Sequence, residues 1–82
     1  MNDFVDIEQI RYELNEKVIE LLKQKRSDKG ISQYMLGKIA GIDPGHVARI
    51  ETGEKKHFTF GILAKLFIAL DVKFAEIDEL IN

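Results

Sequence analysis

The stretch from Ile31 to Gly53, ISQYMLGKIAGIDPGHVARIETG, restricts the possible folds more than any other part of the chain. Apolar residues recur at helical spacing on both sides of Ala40-Gly41-Ile42, so two short helices meet there at a turn too tight for a flexible linker. Ser32 is placed to cap the first helix, its hydroxyl accepting an otherwise unpaired backbone N–H, and Met35, Leu36 and Ile39 are expected to be buried. Gly41 suits the end of that helix, because glycine takes left-handed backbone without a steric penalty. The second helix starts with Asp43 as N-cap and Pro44 at its first position, where a missing N–H does no harm. Val47 and Ile50 are expected to point inward, while His46 and Arg49, three residues apart, share the outward side. This is the pattern of a helix-turn-helix.

Length and composition set the outer limits. A chain of 82 residues with 45% apolar content supports one domain with a single modest core. It contains no cysteine, which excludes disulfides and thiolate metal sites. No apolar run is long enough to span a bilayer, and a start holding Asp3, Asp6 and Glu8 lacks the basic residues of a signal peptide, so a cytoplasmic location is expected. The formal net charge is −2, but it is unevenly divided. Residues 1–22 hold two basic and six acidic residues, residues 23–56 hold eight and four, and residues 57–82 hold two and four. The helix-turn-helix therefore lies in a basic middle of net +4 between acidic ends, which is weak support for a polyanionic partner.

Flanking this stretch are further helical patterns. From Asp3 to Ser27 the residues Ile7, Ile10, Leu14, Val18, Leu21 and Leu22 step by three and four with no proline or glycine, predicting one long helix. Basic residues from Lys23 to Lys29 suit its C-terminal end. Thr59 can cap a fourth helix, Phe60 to Leu70, whose apolar residues occupy more than one stripe and so predict cover on several sides. Asp71 interrupts, and Val72 to Ile81 reads as a last acidic helix with Phe74, Ile77, Leu80 and Ile81 apolar.

Gly30, Ile31, Ser32, Gln33, Leu36, Gly41, Ile42, Val47, Arg49, Ile50, Glu51 and Gly53, at these offsets, resemble the phage repressor and Cro family of helix-turn-helix proteins, also called the XRE family. The resemblance covers roughly Lys17 to Leu80. It implies an all-α, five-helix, lambda-repressor-like DNA-binding domain over residues 17–82. Residues 1–16 form a helical extension of the first helix that the resemblance leaves unexplained. Phe4, Val5, Ile7, Ile10 and Leu14 are more apolar than a free tail needs, so this segment should pack on its own domain, on a second subunit or on another protein.

The resemblance also implies roles for single residues. Arg26 and Glu51 would form a structural ion pair between the first and third helices. Gln33 and Ser32, at the start of the second helix, would meet a phosphate, the alternative for Gln33 being a solvated amide. Gly37 stands where the family usually has alanine at the helix crossing. Pro44, Gly45, His46 and Arg49 occupy the base-reading positions, and since proline and glycine carry no donors, direct reading falls mostly on Arg49 and then His46. Arg49 can grip O6 and N7 of a guanine, or else it touches only phosphate or a neighbouring acid. Lys55, Lys56 and His57 sit in a loop that would follow the DNA backbone, unless they are simply solvated. Ile62 and Ile68, with Phe60, would make a subunit interface.

The function expected is therefore that of a sequence-specific DNA-binding transcriptional regulator. It would act as a homodimer on a partly palindromic stretch of double-stranded DNA, with neither cofactor nor metal. The alternative is a protein-interaction module such as an antitoxin, which binds a partner toxin through the N-terminal or fourth helix as well as its own promoter. An enzyme is not expected: His46 and His57 lie on surface elements, and neither a metal-binding HExxH nor a glycine-rich phosphate loop occurs.

Overall fold

With no glycine or proline before Gly30, the first apolar pattern can run as one uninterrupted helix. In the computed structural model, which describes residues 7–54 and 58–81, this helix is α1 (Ile7–Lys29). Four shorter helices follow: α2 (Gln33–Ala40), α3 (Pro44–Glu51), α4 (Phe60–Ala69) and α5 (Phe74–Ile81), with no strand among the described residues. The architecture is the all-α, five-helix one expected from the sequence. Its boundaries differ slightly: α1 continues past Ser27 to Lys29, and α5 opens at Phe74 rather than Val72. Asp3, Phe4 and Val5 lie outside the described residues.

The turns follow from local chemistry. Gly41 sits at φ 71°, and its N–H and that of Ile42 both donate to the Gly37 carbonyl, closing α2 within two residues. After α4 the same left-handed role falls to Asp71 at φ 56°, which lets the Val72 N–H reach back to the Phe67 carbonyl at 3.0 Å. Aspartate is one of the few residues with a side chain that tolerate this region. At the helix starts, Ser32 Oγ accepts from the Met35 N–H at 3.0 Å and Thr59 Oγ1 from the Ile62 N–H at 3.1 Å. Both caps are the ones the sequence predicts.

Packing is centred on six fully buried side chains: Leu22, Leu36, Val47, Ile50, Leu66 and Leu70. Val18, Ile19 and Phe67 complete the core, each buried apolar side chain contributing about 1.5–3 kcal/mol. α2 packs against both α3 and α4, while α1 packs against α3 and α5.

One expectation about burial needs correction. Met35 and Ile39 are exposed, Ile39 by 56%, although the apolar pattern placed them inside. α2 instead turns Gln33, Leu36, Gly37 and Ala40 inward, a stripe in which glycine supplies closeness rather than hydrophobicity. Along α1, among the residues whose burial is described, Val18 is the first buried one, and Ile10, Tyr12 and Leu14 before it are exposed. The start of α1 projects as an arm.

Candidate nucleic-acid interface

The pose of α3 is fixed at its C-terminal end by a network around Glu51, whose side chain is only 4% exposed. Arg26 Nε donates to Glu51 Oε2 at 2.7 Å and Arg26 Nη2 to Oε1 at 2.8 Å, a bidentate pair between α1 and α3. Arg26 Nη1 donates to the Ile31 carbonyl at 2.9 Å, binding in the loop before α2. The hydrogen bonds that Arg26 donates to Glu51 push the Arg26 pKa above its ordinary value. Loss of Arg26 would leave the buried Glu51 side chain without its ion-pair partner, at a cost of about 3–5 kcal/mol.

Gln33 joins the same network, its Nε2 donating to Glu51 Oε1 at 3.0 Å. Its amide is therefore turned to α3, in place of the outward pose expected for a phosphate ligand. Nothing in the local sequence pattern marks this bond, because its partner is eighteen residues away. Ser32, the other expected phosphate ligand, is exposed; its oxygen accepts the Met35 N–H, which leaves the hydroxyl proton available to donate.

At its other end α3 is held by close approach. A Cβ on Gly37 would stand 2.6 Å from the Ile42 carbonyl oxygen and 3.1 Å from the Pro44 backbone nitrogen and Cα. Only glycine allows the start of α3 to lie this near α2.

Between these two anchors α3 buries Val47 and Ile50 and exposes Arg49. Pro44, Gly45 and His46 are half-buried. His46 differs from the outward expectation, since its Nε2 is shut off from solvent. Asp43 holds the N-cap position and is exposed, but its carboxylate makes no cap hydrogen bond. Of the four positions expected to read bases, Arg49 is the one whose long donor side chain is exposed. Lys55, Lys56 and His57 lie outside the described residues.

The expected interface residues fall into two groups. Phe60 and Ile68 on α4 are exposed by 84% and 78%, whereas Ile62 packs partly against the core. Ile68 stands between two shallow grooves. One is lined by Ile39, Ala40, Lys65 and Ala69, the other by Val18, Phe60, Leu63, Phe67 and Ile77. Among the described residues no group of histidine, aspartate or glutamate is arranged to hold a metal ion, and no helix is long and apolar enough to cross a membrane.

Comparison with known proteins agrees with this geometry. Residues 22–77 match a family model described as helix-turn-helix. The matched span begins at Leu22, beyond the exposed arm of α1, and contains α2, α3 and α4 whole. No curated protein and no solved structure gives a significant match.

Proposed function

The chain belongs to the XRE helix-turn-helix family, that of the phage repressors and Cro, and from this premise we propose that it is a sequence-specific transcriptional regulator acting in the cytoplasm as a homodimer. A DNA-binding regulator of this type is what the family match supports. The finer reading rests chiefly on one observation: Arg49 projects from a helix whose two ends are locked, by Glu51 to Arg26 and Gln33 and by Gly37 to the turn. A donor on a rigid support is what base recognition requires.

In this reading α3 enters the major groove and Arg49 takes the O6 and N7 of a guanine. Pro44 and Gly45 lend close approach, and His46 serves as a secondary contact. Ser32 and the first-turn N–H groups of α2 meet a phosphate. Gln33 acts through Glu51, holding α2 against α3. Lys55, Lys56 and His57 follow the backbone. Two copies meet through α4, Ile68 of one entering a groove beside Ile68 of the other, which sets two recognition helices about 34–36 Å apart.

A second reading draws on the arm. Exposed Ile10 and Leu14, one turn apart on one face of α1, offer an apolar surface to a protein partner, as an antitoxin would offer to its toxin. The two readings are compatible, because such antitoxins also bind DNA.

Binding measured over a series of salt concentrations tests the site assignments. Arg49→Ala should lose discrimination at one base pair per half-site, about 1–3 kcal/mol, and keep most binding to random duplex. Lys55→Ala should weaken all sequences alike and flatten the salt dependence. Equal losses on specific and random DNA for Arg49→Ala would reject its base-reading role.

A further inference from the structure

Pairing through α4 alone would leave a small interface. Stable protein–protein contacts engage roughly 20–30 residues on each side. α4 has ten residues, of which Phe60, Gly61, Lys65 and Ile68 are exposed. The arm of α1 carries further exposed apolar surface, and its placement ties it to α4. Ile10, Leu14 and Val18 follow one another at intervals of four, which makes them one stripe along one side of the helix. Ile10 and Leu14 are exposed. Val18, where the stripe reaches the domain, is buried and forms a wall of the groove that also holds Phe60, Leu63, Phe67 and Ile77. Stripe and groove therefore face the same side of the molecule.

That placement meets the condition for a two-fold contact, in which each copy presents both halves of the match to the other. Ile10 precedes Val18 by eight residues, about 12 Å of helix, and α1 is unbroken from Ile7 to Lys29, so the arm cannot fold back into the groove of its own copy. Charge then separates the possible partners of the stripe. Residues 1–16 hold five acidic residues against Arg11 alone, so two arms packed side by side would repel. The groove offers the opposite sign: exposed Lys65 stands beside Ile68 at its edge, while Asp71 and Glu76, next to its residues Val72 and Ile77, are already paired with Lys73 and Lys25. We propose that the arm of each copy lies in the groove of the other, Ile10 and Leu14 covering Phe60, Phe67 and Ile77, so that the dimer forms by exchange of arms. This rests on the reading of the protein as a homodimer and goes beyond it by giving the arm its partner, a second copy of the chain.

The test combines sedimentation equilibrium with cross-linking on the full chain. Leu14→Glu should weaken self-association at least about tenfold, whereas Tyr12→Glu, on the opposite side of the arm, should leave it unchanged. Both positions are exposed and precede the core, so both variants should keep the wild-type helical content. The chain has no cysteine, which lets single cysteines report contacts between copies. Glu13→Cys lies beside the stripe and Gly61→Cys beside Phe60, and neither removes an apolar contact. When chains of the two kinds are mixed and treated with a short bismaleimide, pairs holding one chain of each kind should predominate over pairs of one kind. Self-association unchanged in Leu14→Glu would overturn the proposal and leave pairing through α4 standing. Weakened association without mixed cross-links would place the arm elsewhere than in the groove and overturn it too. A wild type that stays monomeric would remove the homodimer reading and the proposal with it.

Discussion

At Gly37 two demands on a single residue oppose each other. Alanine in the middle of α2 would raise helix propensity by up to about 1 kcal/mol. Its methyl group, however, would lie 2.6 Å from a backbone oxygen in the turn to α3, which cannot move without displacing Pro44. The steric demand is the larger. Gly37→Ala is therefore expected to lower stability by about 1–3 kcal/mol in urea unfolding, an overpacking loss. Equal or greater stability of the variant would show that the approach of α2 to α3 is looser than described. The same residue explains why the inward face of α2 was misread from sequence. Hydropathy registers Met35 and Ile39 and ignores glycine, but the face at a close helix crossing is chosen by the residue that permits approach. Leu36, apolar and on both stripes, was assigned correctly for that reason.

Between elements, the contacts that matter join residues far apart in sequence. Helix existence was legible from the three- and four-residue steps of apolar side chains, and the starts of α2 and α4 from Ser32 and Thr59. The Gln33–Glu51 bond was not, nor was the ion pair of Lys25 with Glu76, which joins α1 to α5 across fifty-one residues. Periodicity is a local signal and says nothing of such partners; Arg26 and Glu51 were anticipated only through the family resemblance. The Lys25–Glu76 pair also carries a pH dependence. The hydrogen bond from Lys25, aided by the Lys73 N–H at 2.8 Å, holds the Glu76 carboxyl below its ordinary pKa. A depressed folded-state value means that this contribution to stability is complete above the ordinary carboxylate range and is lost as pH falls through the lowered value. The partner Lys25 is raised, mainly by the hydrogen bond to Glu76, so its share holds below the ordinary lysine range and is lost as pH rises through the raised value. Both groups are open to solvent, and salt should screen the effect. Melting temperature against pH at low salt should fall less steeply on the acid side for Glu76→Gln than for the wild type. Identical acid limbs would mean that the pair contributes nothing to the docking of α5.

For the whole molecule, what remains is apolar surface that a single copy does not cover. The arm of α1 exposes Ile10, Tyr12 and Leu14, and α4 exposes Phe60 and Ile68. The over-apolar composition of α4 made this visible in the sequence, but periodicity alone cannot distinguish a stripe that packs within the chain, such as that holding Ile62, from one turned outward. If Ile68 is central to a two-fold contact, Ile68→Glu should weaken self-association at least about tenfold in sedimentation equilibrium and leave the helical content intact. An unchanged mass distribution would place the contact elsewhere, with the arm the next surface to alter. The central claim, that a rigid α3 in a paired molecule reads sequence, is tested most directly by selection from random duplex DNA with the purified wild type at near-physiological salt. The account predicts an enriched inverted repeat with half-site centres about one helical turn apart. A bound pool with no enriched sequence, and binding that only fades as salt rises, would contradict it.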